Sequence, residues 1–463
     1  MTLPEGFGVA LSESVRRYDR GHVLAGGSPY RVVRLTDAGL RALEDLRRGA
    51  GASPAARELG GRLIDGGLAA PVPAAALAVP PITAVVPVRD RPVELELCLR
   101  SLDGTPVVVV DDGSADSAAV RAICERRGAR LVRRAGSDGP GAARNAGLAA
   151  VDTELVAFLD SDCTAPAGWL MRLGGHFADP RVGAVAPRVV PGAASRSGAA
   201  PVRERYAAAR SPLDLGGTPG EVGPGRPVAY VPAAALVVRR AALDGGFDER
   251  LRYGEDVDLV WRLRTAGWAV RYDPSVVVEH AEPPSWRGLL ARRYRYGTSA
   301  APLSRRHPGA LAPAVVHRRQ AGAAVLALAG RPGPALALAA GGLLPASQRL
   351  SVAGVPPSAI AALSVNATWR TVVGLSTAAT TLALPALLAG LAVRRTRPAA
   401  AVLLVAAPLA QFAALRPALD PIRWLAASIA DDAAYGAGVW HGSLRHRTAG
   451  PLCPRIARES ASI

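Results

Sequence analysis

The spacing of apolar positions changes character along the chain, and each change marks a region. In the first seventy residues short segments of both periods alternate. Arg31-Val-Val-Arg-Leu35 reads as a strand. Thr36 then caps a helix over 37–47, with Leu40, Leu43 and Leu46 on one side. A second short helix is predicted over 56–68, with Leu59, Leu63 and Ile64 inward. Strand, helix and helix in so few residues predict a small winged-helix-like domain over residues 1–70. It has no clustered acids and no His pair, so a structural cap and a peptide- or partner-binding domain both fit. Pro71 to Pro81 is a linker by its prolines.

From residue 82 the pattern becomes βαβ, and the domain it predicts spans 82–300. Ile82-Thr-Ala-Val-Val-Pro-Val88 is a strand, and Pro92 opens a helix with Leu95, Leu99 and Leu102 inward. The run 107–110 is continuously apolar, as a strand buried on both faces requires, and enters Asp111-Asp112-Gly113-Ser114. A helix carrying Val120 and Ile123 stops at Gly128, a third strand covers 129–133, and a Gly- and Ala-rich helix covers 140–149. Leu155-Val-Ala-Phe-Leu159 is a buried strand ending in Asp160-Ser161-Asp162. The fold class is therefore α/β, the nucleotide-binding half of a Rossmann-like, doubly wound sheet. Beyond it, 183–190 and 228–239 read as strands, with a Pro/Gly/Ser-rich acceptor-side or disordered loop between them. Gly254-Glu255-Asp256 opens a helix running to residue 266, and 270–272 and 275–280 are short strands.

The last region, 310–463, is helical and strongly apolar. The stretch 371–393 is 23 residues without a charge, enough at ~1.5 Å per residue to cross a ~30 Å hydrocarbon layer. The run 399–415 is shorter, and 321–345 is interrupted by Arg331-Pro-Gly-Pro, as in a broken or re-entrant segment. The Arg residues at 394, 395 and 397 and the Arg-rich tail favour the cytoplasmic side of a cell membrane. Met1-Thr-Leu-Pro-Glu5 lacks a basic start and apolar core, so no signal peptide is predicted and the catalytic domain is placed on the cytoplasmic face.

The net charge of +17 sharpens this picture. All 55 basic residues are Arg. Nucleic acid is excluded as a partner: no zinc-finger, helix-turn-helix or RNA-recognition pattern is present, and aromatics are only 5%. A membrane surface fits better. Cys98, Cys124, Cys163 and Cys453 form no Cys-x-x-Cys pair, which argues against a disulfide framework or zinc site.

Four acidic stations carry the candidate chemistry. Asp111/Asp112 and Asp160/Asp162 end strands, where open α/β sheets keep their ligands. Asp160 and Asp162, two apart on extended backbone, point the same way and suit Mg²⁺ or Mn²⁺ with phosphate oxygens. Glu255 and Asp256 open a helix whose dipole favours ionised carboxylates and thus a low pKa. Glu279 stands beside His280, which sits at a strand end and is a candidate third metal ligand through a ring nitrogen, a structural histidine being the alternative.

Six segments then match one family in order and spacing: Ala84-Val-Val-Pro-Val-Arg-Asp90, Val109-Val-Asp-Asp-Gly-Ser114, Gly139-Pro-Gly-Ala-Ala-Arg-Asn145, Phe158-Leu-Asp-Ser-Asp162, Gly245-Gly-Phe-Asp248 and Gly254-Glu-Asp-Val-Asp-Leu259. Together they resemble the inverting family 2 glycosyltransferases of GT-A fold. Arg89-Asp90 stands where that family often has Tyr-Asn. The resemblance implies that Asp111 and Asp112 bind base and ribose, that Pro87, Arg89 and Arg144 help hold the nucleotide sugar, and that Asp160 contacts the ribose. It implies Asp162 and His280 as metal ligands, Asp256 as general base and Glu255 as its support. Leu24-Ala-Gly-Gly-Ser-Pro-Tyr-Arg-Val-Val-Arg-Leu-Thr-Asp-Ala-Gly-Leu40 resembles a PqqD-type peptide-recognition domain. A PqqD-like front, a family 2 domain and a hydrophobic tail resemble the glycosyltransferases of mycofactocin systems. That implies glucose transfer, with UDP-glucose as donor, onto a peptide-derived redox cofactor, in β-linked chains. Alternatives are a family 2 enzyme acting on a polyprenyl phosphate or cell-wall glycan, and a non-catalytic peptide-binding membrane scaffold.

Overall fold

A computed structural model of the chain describes residues 2–49, 52–192, 200–316, 318–341, 347 and 350–456. Its contacts group into two compact units, Met1–Arg17 with Leu24–Ala193 and Arg210–Glu282, and Tyr18–Val23 with Ala194–Ala209 and Pro283–Ile463.

The chain opens with strand β1 (Phe7–Leu11), followed by β2 (Arg16–Tyr18), β3 (Val23–Gly26) and β4 (Arg31–Arg34). Helices α1 (Asp37–Arg48) and α2 (Pro54–Asp65) come next, then β5 (Ala69–Pro73). Thr36 caps α1 as its sequence predicts, its hydroxyl accepting from Gly39 N at 3.1 Å. Leu43, Leu46, Leu63 and Leu68 are essentially fully buried with Phe7 and Leu24. Helix α2 stops at Asp65, short of residue 68, because Gly66 and Gly67 follow and Gly67 takes a φ of +71°. Strand β5 runs through the first residues of the expected linker. Among the described residues it pairs with antiparallel β1 alone, and the other edge tolerates Pro71 and Pro73, which lack a donor. Arg226 fastens this module to the sheet domain, donating to Asp65 O at 3.2 Å and Ser28 O at 3.4 Å.

The sheet domain carries β6 (Ile82–Val88), α3 (Pro92–Ser101), β7 (Val107–Asp111), α4 (Ser117–Arg127), β8 (Arg130–Arg133), α5 (Pro140–Ala149) and β9 (Leu155–Leu159). Then follow β10 (Cys163–Thr164), α6 (Trp169–Gly174), β11 (Val182–Pro191), β12 (Gly220–Glu221), β13 (Ala235–Arg239), α7 (Glu255–Thr265) and β14 (Ala269–His280). Strand order is β10-β14-β11-β13-β9-β6-β7-β8, with β12 paired to β14. Strands β9, β6, β7 and β8 are parallel, whereas β13 runs antiparallel to β9 and to β11. The mixed α/β sheet is thus the expected class. Only Ala235–Arg239 of the run 228–239 is strand. The two short strands expected over 270–280 are one, β14, with a register shift opposite Pro187/Arg188.

Helix α5 must lie close over β6, and its small residues allow this. A Cβ on Gly147 would sit 2.3 Å from Val85 Cγ1 and 3.0 Å from Val110 Cγ2, both on buried strands. Gly147→Ala is expected to cost about 1–3 kcal/mol by overpacking, read as a fall in thermal midpoint; an unchanged midpoint would show that α5 can lift without loss.

The second unit is helical. The uncharged stretch 371–393 does not form one helix. Pro357–Leu382 and Leu384–Ala392 meet at a 100° bend. Pro385 explains the break: it has no N–H to continue the ladder, and its ring would meet the carbonyl four residues back. The helix that is long and apolar enough by itself to cross a membrane, among the described residues, is Arg397–Leu415, 19 residues with an 18-residue stretch of mean hydropathy 1.9. The interrupted segment 321–345 gives Arg318–Leu328 and Pro332–Gly341, and its last residues, 342–345, lie outside the described residues. So do residues 193–199 of the expected acceptor-side loop.

Candidate active site

The predicted nucleotide end forms where β6 and β7 stop. Asp111 is fully buried, accepting from Ser114 N at 2.8 Å and from Arg133. Asp112 accepts from Arg134 Nη1 at 2.6 Å and Ser137 Oγ at 2.8 Å, and Arg89 also donates to Ser137 Oγ at 2.8 Å. Asp90, φ +54°, ties the loop shut: its N–H donates to Ser114 Oγ and its carboxylate accepts from Ala115 N at 2.7 Å. Pro87 stands opposite Val110 in the parallel β6/β7 register. Arg133 and Arg134 were not legible as site residues. An Arg-rich strand end carries no signal until the parallel register sets it against β7.

The centre of the site is Arg144, on α5 and 4% exposed. Its Nη2 donates to Asp160 Oδ1 at 2.7 Å and its Nη1 to Glu255 Oε1 at 2.8 Å. One buried cation therefore joins the end of β9 to the start of α7. The guanidinium lies 5.4 Å from the centre of the Phe247 ring, which meets Phe158 edge-on at 5.1 Å. This explains the Gly245-Gly-Phe-Asp248 segment. Asn145 hooks it by two hydrogen bonds, donating to Phe247 O at 2.9 Å and accepting from Phe247 N at 2.8 Å. Arg262, held by Asp258 at 2.8 Å, donates to Gly246 O from the other side. Asn145, Arg262 and Asp258 are bracing residues with no site role in the sequence reading; Asn145 holds Phe247 from 102 positions away, and the Asp258–Arg262 pair, four apart on α7, gains its role only where the fold brings the Gly246 turn against it.

Asp256 stands on the first turn of α7, accepting from Val257 N at 2.8 Å and Ala233 N at 3.3 Å. Burial pushes its carboxyl above the ordinary aspartate range, against the lowering pull of Arg144 and the backbone N–H groups. Burial and the neighbouring Asp256 charge push Glu255 up to about 7. The expected low pKa of this pair is thus corrected: desolvation outweighs the helix terminus. The correction favours the role, since a raised pKa makes a stronger base.

Asp162 and His280 meet through the β10/β14 ladder, in which Cys163 pairs His280. His280 Nε2 lies 3.6 Å from Asp162 Oδ2, and both side chains are about one-tenth exposed. On the far side of the ring, Nδ1 lies 3.8 Å from Glu282, whose carboxylate accepts from Ser211 Oγ at 2.9 Å. Arg91 also pairs with Asp162. Glu279 alternates to the opposite face of β14 and does not join this group. Among the described residues no cluster of three or more His, Cys, Asp or Glu could hold a metal alone. One carboxylate and one imidazole, with an acid behind the imidazole, fit a divalent ion whose other ligands are diphosphate and water oxygens.

The glycosyl transferase family 2 profile matches residues 83–230. A pre-mycofactocin glycosyltransferase of Mycobacterium tuberculosis, in two strains, is 38% identical over 471 residues, with 98% of each chain covered. An N-acetylglucosaminyl-diphospho-decaprenol L-rhamnosyltransferase of the same organism is 52% identical over 58 residues, 12% of this chain and 19% of its own. Among solved structures, a Pyrobaculum calidifontis mannosyltransferase in complex with GDP-Man and Mn²⁺ is 22% identical, with 73% of this chain and 90% of the other covered, at a TM-score of 0.39. With a relative that alike over its whole length and the family 2 segments gathered around Arg144, the chain belongs to the pre-mycofactocin glycosyltransferases of glycosyl transferase family 2.

Proposed function

We propose that the protein transfers glucose from UDP-glucose to a hydroxyl of a peptide-derived redox cofactor of the mycofactocin type, with inversion, forming β-linked chains. The observation that carries this is the Arg144 bridge between Asp160 and Glu255. It fixes the end of the donor-side strand relative to the acidic first turn of α7, so that one side chain can accept a proton beside a bound donor. Asp111, Asp112, Arg89 and Pro87 surround the nucleoside, and Asp160 the ribose. Asp256 takes the acceptor hydroxyl proton as its oxygen bonds to the anomeric carbon. The carbon–oxygen bond to the diphosphate breaks on the opposite face, and its electron pair leaves with UDP. Asp162 and His280 are the residues that would hold Mg²⁺ or Mn²⁺, with Glu282 orienting the imidazole and Arg91 turning off Asp162. Bound there, the ion would neutralise charge developing on the leaving diphosphate. The relative's name supports the acceptor. The apolar helix Arg397–Leu415 supports association with a cell membrane, and Arg394, Arg395 and Arg397 support a catalytic unit on the cytoplasmic face. The PqqD-like front would receive the peptide portion.

The test is incubation of the purified protein and Mn²⁺ with a panel of nucleotide sugars and the peptide-derived cofactor precursor, followed by mass spectrometry. Added hexose from UDP-glucose alone supports the reading. Hexose on polyprenyl phosphate only would move the acceptor to a lipid, and peptide binding without consumption of any donor would leave a scaffold. Asp162→Asn is expected to weaken Mn²⁺ binding in the presence of UDP by at least roughly tenfold, measured by electron paramagnetic resonance of free Mn²⁺. Unchanged affinity would remove Asp162 from the ligand set.

A further inference from the structure

Charge is divided unevenly along this chain. Residues 1–282 hold 35 Arg against 34 acids, whereas residues 283–463 hold 20 Arg against 4 acids. Three of those four acids are committed. Asp431 pairs with Arg293 at 2.7 Å, Asp432 accepts from Thr380 Oγ1 at 2.7 Å, and Asp420 caps the helix Pro421–Arg445 by accepting from Arg423 N at 2.9 Å. The fourth, Glu459, lies outside the described residues.

The other end of that helix is basic. Arg305, Arg445, His446, Arg447 and Thr448 line a cavity of about 430 Å³ that includes no carboxylate. Asp420 is a whole 25-residue helix away, roughly 35 Å at 1.5 Å per residue, and Asp431 is roughly 20 Å away. Arg305, Arg445 and Arg447 are exposed. Three carbonyls of the last turn, which would repel an anion, are already engaged: Gly442 O accepts from His446 N at 2.9 Å, Ser443 O from Thr448 N at 3.0 Å and Leu444 O from Arg447 N at 3.3 Å. Arg447 adopts φ +47° in the turn that closes them. Beside this corner stand two exposed apolar side chains one helical turn apart, Trp440 at 45% and Leu444 at 73%. The Trp440 indole is fixed by its N–H, which donates to Leu382 O at 2.9 Å. A guanidinium cluster suits phosphate, and tryptophan with an aliphatic neighbour suits the boundary between headgroups and acyl chains.

We propose that this corner binds the phosphate of an anionic phospholipid headgroup, with the start of its acyl chains along Trp440 and Leu444. The inference rests on the membrane reading of the helical unit and adds to it the lipid class and the place. The full chain, in an uncharged detergent, is titrated with short-chain phosphatidylglycerol, phosphatidylcholine and inorganic phosphate, while native mass spectrometry counts retained lipid and thermal unfolding is followed. Phosphatidylglycerol is expected to be retained roughly 100-fold more tightly than phosphatidylcholine, from three arginines at an anionic headgroup, and to raise the unfolding midpoint. The triple variant Arg305→Gln, Arg445→Gln, Arg447→Gln is expected to lose the preference, and Arg394→Gln with Arg395→Gln to keep it. Should the triple variant not fold, Arg445→Gln alone is expected to lose part of the preference. Equal retention of both lipids, or a preference that survives these substitutions, overturns the proposal. A rise with inorganic phosphate equal to that with the lipid overturns the lipid assignment. Protein that stays monodisperse without detergent and floats with no vesicle, charged or neutral, overturns the membrane reading and the inference with it.

Discussion

Asp256→Asn is expected to lower kcat roughly 10³-fold, within the span a positioned general base supplies, while UDP affinity changes less than about twofold. The asparagine is nearly isosteric and can still accept from one of the two N–H groups of Val257 and Ala233 that now hold the carboxylate. The first turn of α7 and its tie to Ala233 should therefore stay in place. What disappears is the only capacity the substitution removes outright, that of taking a proton. Burial raises the Asp256 carboxyl above the ordinary range, so the wild-type rate should climb with pH as that carboxyl ionises, and the rising limb should lie above the pH at which exposed carboxylates titrate. In Asp256→Asn this limb should vanish from the pH profile. The checks are steady-state kinetics at saturating donor over pH 4–9 and calorimetric titration with UDP. A tenfold or smaller loss of kcat, or a limb that persists in the variant, would assign the base elsewhere.

The sheet was legible because parallel strands buried on both faces read as unbroken apolar runs, and β6, β7 and β9 are such runs. The two helices flanking the site were legible because Pro140 and Gly254 mark their starts. What the chain did not disclose is pairing between distant residues. Asn145 and Phe247 are 102 positions apart, and Arg144 and Glu255 are 111. Each of these four residues fell within a matched segment, but no period in the sequence says that Asn145 holds the backbone of Phe247 or that the Phe247 ring lies against Arg144. Glu282 was missed for a different reason: it is only two positions from His280 but lies beyond the end of β14, where strand alternation no longer says which way a side chain points. The direction of the Glu255 and Asp256 shifts failed differently. The helix terminus is visible in sequence, but the depth at which the helix starts is not, and burial proved the larger effect. Pro385 stands inside the apolar run, where length and lack of charge measure only whether a segment could span a membrane and say nothing of the break a proline makes.

Arg144→Gln is the substitution expected to disturb both stability and chemistry most. Removing the cation leaves Asp160, Glu255 and Asp256 facing one another around a 4% exposed position, and loss of one partner from a buried ion pair typically costs about 3–5 kcal/mol. The sign with pH separates this from a simple packing defect. Arg144 lowers the pKa of both Glu255 and Asp256, so without it both should titrate still higher in the folded protein. A folded state that holds protons above the pH at which the unfolded chain releases them loses stability as pH rises through that interval and regains it as pH falls. The deficit of Arg144→Gln should therefore be greatest at alkaline pH and shrink as pH falls, as Glu255 and Asp256 take up protons and need the cation less. The same shift should carry the rising limb of the rate profile to higher pH, so that activity lost at neutrality returns in part at about pH 9. Thermal unfolding and kcat, measured on one set of buffers, should move in opposite directions with pH in this variant. A stability deficit of constant size, with an unshifted rate profile, would reduce Arg144 to a packing residue and break the link between the strand end at Asp160 and the acidic turn at Glu255.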